Sequence, residues 1–143
     1  MITPKYFQLE ELLTSSTARQ KSIENLPSWT IVGHLLELGA FLDDLRAAWG
    51  SGIKVNSGFR NEALNKAVGG SNTSVHKIGY AADLYPANGK FDDFCKFVRK
   101  WLDHRAYDQV LIERNKKGGR WLHIGLYSNS GQQRRICKEL EVL

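Results

Sequence analysis

The 143-residue chain is 42% hydrophobic and 24% charged with a formal net charge of +5, a balance that excludes a disordered or membrane-spanning polypeptide and fits one globular domain. A domain of this size buries about two-thirds of the surface of its unfolded chain, no apolar run approaches the roughly 20 residues that cross a bilayer, and Met1-Ile2-Thr3-Pro4-Lys5 lacks the apolar core of a signal peptide. Cytoplasmic synthesis is therefore expected, and the positive charge points to an acidic partner, with Lys116, Lys117 and Arg120 and then Arg134, Arg135 and Lys138 as its concentrations.

Tyr6 to Leu13, apolar at Phe7, Leu9, Leu12 and Leu13, predicts a short segment running into a Thr14-Ser15-Ser16-Thr17 turn. Pro27 and Ser28 mark a helix start, with Ser28 as N-cap. From Trp29 to Trp49, Leu35, Leu38, Leu42, Leu45 and Trp49 recur at three- and four-residue steps, the stripe of a core helix. His34 within it reads as a packed residue rather than a ligand. Gly50-Ser51-Gly52 ends that helix, and Ile53-Lys54-Val55-Asn56 alternates as a strand does.

A loop carrying His76 then turns through Gly79 into a strand from Ala81 to Leu84, and a second helix spans Phe91 to Asp103. Phe91, Phe94, Cys95, Val98, Trp101 and Leu102 form its apolar stripe. Asp92 and Asp93 in its first turn and Arg99 and Lys100 in its last complement the helix dipole, as does His104 at its end. Tyr107 to Glu113 and Arg120 to Tyr127 read as strands joined by Arg114-Asn115-Lys116-Lys117-Gly118-Gly119, a hairpin loop. Cys95 and Cys137 read as free thiols, and the last residues as a basic tail.

The chemistry sits in Ser74-Val75-His76-Lys77-Ile78-Gly79-Tyr80-Ala81-Ala82-Asp83 and Trp121-Leu122-His123. Two imidazoles and one carboxylate make a catalytic rather than a structural zinc set, because catalytic sites use three N/O ligands and leave the fourth position open. The two-residue period of the strands puts Val110, Ile112, Leu122, Ile124 and Leu126 on one face and Glu113, Trp121 and His123 on the other. Asp83 opposes Ala82 and Leu84 in the same way. One sheet face is thus core, and the other gathers Asp83, Glu113 and His123.

The pattern Ser74-x-His76-x-x-Gly79-x-Ala81-x-Asp83 resembles that of the zinc D-Ala-D-Ala carboxypeptidases and related peptidoglycan peptidases, which share a fold with the hedgehog signalling domain. Ser57-Gly58-Phe59-Arg60 is similar to the family's Ser-Gly-Tyr-Arg turn, and Leu64 to Gly70 to the family segment next in the chain. Asp108 to Glu113 and Trp121 to Ile124 resemble its last two strands. The likeness covers about residues 53–127. It implies an α+β fold, a small antiparallel sheet with helices on one face, as one domain over residues 1–143. It further implies Zn2+ on His76, Asp83 and His123, with Glu113 as general base. Some members place the acid just before the last ligand, where this chain has Arg120. Arg60 would grip a substrate carboxylate, Ser74 would bond substrate or orient the loop, and Trp121 would wall the pocket.

The function so implied is zinc-dependent hydrolysis of a peptide bond in peptidoglycan stem peptides, by a carboxypeptidase or an endolysin-type endopeptidase. A catalytically silent, zinc-stabilised binding module is the alternative, against which Glu113 argues. A monomer acting on a muropeptide at the cell wall is expected, with no nucleic-acid partner, since no recognition motif accompanies the charge.

Overall fold

A computed structural model describes residues 4–141, so both ends of the expected 1–143 domain, Met1–Thr3 included, lie outside the described residues. Two short helices, α1 (Leu9–Leu13) and α2 (Ser16–Gln20), precede the long α3 (Trp29–Trp49). There follow β1 (Ile53–Ser57), α4 (Glu62–Ala67), a 3-10 turn at Val75–Ile78, β2 (Ala81–Pro86) and α5 (Phe91–Trp101). A second 3-10 turn at Leu102–His104 leads to β3 (Gln109–Arg114), β4 (Arg120–Gly125) and β5 (Ile136–Glu141). The fold is α+β. No helix among the described residues is long and apolar enough to cross a membrane.

Helix α3 begins where Ser28 accepts a hydrogen bond from the Ile31 amide and ends where Gly50 takes a left-handed conformation, φ 78°. Its Leu35, Leu38, Leu42 and Leu45 are fully buried and meet Phe94 and Val98 of α5 over the sheet residues Ala82, Leu84, Val110, Leu122 and Ile124. Burying each such leucine is worth roughly 1.5–3 kcal/mol, so this layer holds the sheet from behind. Helix α5 stops at Trp101, two residues before the expected end, because the chain tightens into the Leu102–His104 turn. His34 is a packed residue as expected, its Nδ1 2.6 Å from the Ile78 carbonyl and its ring stacked on Tyr80. Cys95 and Cys137 are free.

The five strands lie in the order β1-β2-β4-β3-β5. The sheet is mixed, which corrects the antiparallel expectation: β5 runs parallel to β3, from Gln109 opposite Ile136 to Arg114 opposite Glu141. The supposed basic tail is this edge strand. It is tied down at its entry, where the buried Asp108 accepts bonds from the Arg134 amide and from Arg134 Nε and Nη2. The amides of Arg135 and Ile136 add bonds to the Tyr107 and Asp108 carbonyls.

Antiparallel pairing sets Asp83 opposite His123 and His123 opposite Leu111, with Trp121 opposite Glu113. Since the even-numbered neighbours Ala82, Leu84, Val110 and Leu122 are in the core, alternation places these residues on the other face. At its end β1 slips register between Val55 and Ser57, so that Ser57 pairs with Asp83. Such bulges re-aim a strand end, and Ser57 and Arg60 reach the site face while Phe59 between them turns into the core.

Candidate metal centre

His76 reaches the site from the 3-10 turn, whose N-cap Ser74 accepts the His76 amide and whose C-cap Gly79 has φ 81°. That left-handed residue, costly for any side chain with a Cβ, reverses the chain into β2 and returns Asp83 to the imidazole. His76 Nε2 lies 3.2 Å and His123 Nδ1 3.0 Å from the same oxygen, Asp83 Oδ1. One ligand atom from each of the three lies within 4.8 Å of the others. A tetrahedral zinc with bonds of about 2.0–2.1 Å sets neighbouring donors roughly 3.3 Å apart, so both short separations suit it.

Proton bookkeeping supports the same reading. His76 Nδ1 donates to the Gly58 carbonyl at 2.7 Å, which leaves a lone pair on Nε2 facing a carboxylate oxygen. Burial pushes the His76 imidazole below its ordinary pKa, outweighing the pull of Asp83 towards the charged form. Burial alone would raise the Asp83 carboxyl, yet the adjoining histidines hold it well below the usual range. An ionised carboxylate beside a bare imidazole nitrogen wants a cation between them, and two nitrogens with one oxygen suit a divalent transition metal. The Gly58 carbonyl is the kind of outer partner that fixes the tautomer of a metal-ligating histidine.

Glu113 lies 4.0 Å from His123, Oε1 to Nδ1, and is 15% exposed. Burial raises its pKa, Asp83 adds to the rise, and His123, Trp121 and Arg60 oppose it. Arg60 is held through its backbone, whose amide donates to the His76 carbonyl at 3.0 Å. Burial lowers its pKa while Asp83 and Glu113 pull it up. Its Nε is buried with no hydrogen-bond partner among the described residues. Arg120 pairs with Asp92 at 2.8 Å and lies over the Phe91 ring, on the helix side of the sheet.

All seven residues singled out in the sequence, His76, Asp83, His123, Glu113, Arg60, Ser74 and Trp121, line one cleft of about 960 Å³. The sequence marks Gly58 and Gln109 only as members of motif blocks and Arg134 only as part of a basic concentration, and it does not mark Ser128 or Gln132. Gln109, Ser128, Gln132 and Arg134 line the same cleft, and Gly58 contributes a carbonyl. The polar stretch after Tyr127 carries no periodicity that would place its residues there.

No curated protein matches the chain. The family described as Peptidase M15 matches residues 5–124, a span that contains His76, Asp83, His123 and Glu113. The alternation, the return turn at Gly79 and this match agree, and the chain belongs to the Peptidase M15 family of zinc D-Ala-D-Ala carboxypeptidase-type metallopeptidases.

Proposed function

We propose that the protein hydrolyses a peptide bond in peptidoglycan stem peptides, with zinc on His76, Asp83 and His123. The observation that carries this reading is the convergence of those three side chains with a fourth titratable group, Glu113, 4.0 Å from His123. Zinc supplies Lewis-acid polarisation of a carbonyl and lowers the pKa of water to about 7.

The chain's own groups supply the rest. Glu113 accepts a proton from the attacking water as the oxygen–carbon bond forms, and delivers it to the amine nitrogen as the carbon–nitrogen bond breaks. Its partial burial raises its affinity for that proton, which suits a group that must hold it between the two steps. Arg60, which lines the cleft and whose buried Nε has no hydrogen-bond partner among the described residues, fits a substrate carboxylate through the planar fork of its guanidinium. Ser74 orients the ligand loop through its bond from the His76 amide at 3.3 Å, and Trp121 walls the cleft.

A protein of this kind acts as one domain on the wall polymer, as a monomer. Incubating the zinc-loaded protein with purified sacculi and identifying the newly exposed amines by mass spectrometry tests the reading. New amino termini within the stem peptide, or released D-alanine, are expected; intact sacculi alongside full zinc occupancy would point instead to a silent zinc-binding module.

A further inference from the structure

Beyond residue 124, where the family match ends, the chain still contributes to the cleft. The turn from Ser128 to Gln132 closes on itself: the Ser128 amide donates to the Gln132 carbonyl, the Gln132 amide to Ser128 Oγ, and the Gly131 amide to the Ser128 carbonyl. It is tied to the opposite wall by Asn129 Nδ2, which donates to the Thr73 carbonyl at 2.7 Å. Next along the chain is Arg134, gripped by Asp108 at 2.8 and 2.9 Å through Nε and Nη2. That grip takes two of the five N–H donors of a guanidinium and leaves three. Arg134 nonetheless lines the cleft, beside Gln109 and Gln132.

The position of this arm relative to the metal group is set by the sheet. Leu111 pairs with the ligand His123, Glu113 lies two residues to one side of it, and Gln109 two residues to the other. At about 3.4 Å per strand residue, Gln109 sits roughly 7 Å from the ligand row, the length of two residues of an extended peptide.

We propose that Arg134, with Gln109 and Gln132, forms a second carboxylate-reading subsite about two residues from the scissile bond. The subsite rests on the peptidase reading and extends it to a segment outside the family match. Arg134 is a specificity residue here, preset by Asp108, and carboxylate rather than a neutral group is the ligand because uncommitted, fixed guanidinium donors bond charged acceptors most strongly.

The test uses the zinc-loaded full chain and a series of muropeptides in which each free carboxylate is replaced, one at a time, by its carboxamide. For wild type, kcat/KM falls roughly 10-fold or more at one position two residues from the cut, the size expected for losing a charge-assisted hydrogen bond. In Arg134→Gln, and again in Arg134→Lys, that carboxylate-to-carboxamide ratio drops towards one while the ratios at other positions keep their wild-type values. Because a ratio is independent of how much protein is folded, loss of the β5 anchor does not mimic this result. Equal ratios at that position in wild type and both variants overturn the subsite and leave the peptidase reading standing. A wild type that cleaves no member of the series rejects the peptidase reading, and the subsite with it.

Discussion

Gly58 orients a candidate metal ligand without presenting a side chain. Its carbonyl accepts His76 Nδ1 at 2.7 Å, while a Cβ built on it would stand 2.3 Å from the Leu12 carbonyl oxygen of α1. Gly58→Ala must therefore move backbone, and two effects should appear together: zinc affinity 10–100-fold weaker, as for other outer partners of ligating histidines, and a loss of about 1–3 kcal/mol from overpacking. A competitive zinc titration and a denaturant melt on one preparation check both, and wild-type affinity would dismiss the link to His76. For the ligands themselves, Asp83→Ala removes the one oxygen that both histidines approach, and elemental analysis should find the variant without zinc; full occupancy would reject Asp83 as a ligand. The candidate ligands are legible as a group because residue type and the two-residue period of a strand are both written in side chains. The role of Gly58 is not, since any residue offers a carbonyl and only the α1 contact makes glycine necessary.

Elements differ in the same way. Helix α3 declares itself through five apolar residues at helical spacing and a serine cap. Strand β5 does not, because Ile136-Cys137-Lys138-Glu139-Leu140 shows no alternation and it lies at the sheet edge, paired only with β3 among the described residues. Short α4 escaped for want of length, its start marked only by the Asn61 cap. What holds β5 is tertiary: Arg134 hydrogen bonds lower the Asp108 pKa below its ordinary 3.8, against the opposing effect of burial. A carboxylate depressed in the folded state contributes stability that is fully present above its unfolded value and is lost as pH falls through its folded value. Melting temperature should thus decline in acid more steeply, below about pH 4, for wild type than for Asp108→Asn, which starts lower and lacks this component. Parallel acid profiles of the two proteins would show that the pair does not anchor β5.

At the scale of the molecule, the cleft is assembled from segments as far apart as Ser15 and Arg134, a juxtaposition that no local pattern encodes. Strand alternation reveals the face on which the site lies, but not its extent. The net charge of +5, with Lys116, Lys117 and Arg120 on or beside the β3–β4 connection, bears on substrate capture. Raising salt from about 0.05 to 0.5 M should slow cleavage of intact, anionic sacculi several-fold more than cleavage of a short muropeptide, because screening removes long-range attraction and spares contacts within the cleft. Equal slowing would place no function in the charge. The central claim, that this fold is a working zinc peptidase, rests most directly on Glu113, which no ligand count requires. Zinc content, thermal melting and muropeptide cleavage measured together on Glu113→Gln should give a folded, zinc-loaded protein whose turnover is down roughly 10²–10⁴-fold; a folded, zinc-loaded variant cutting at the wild-type rate would contradict the account.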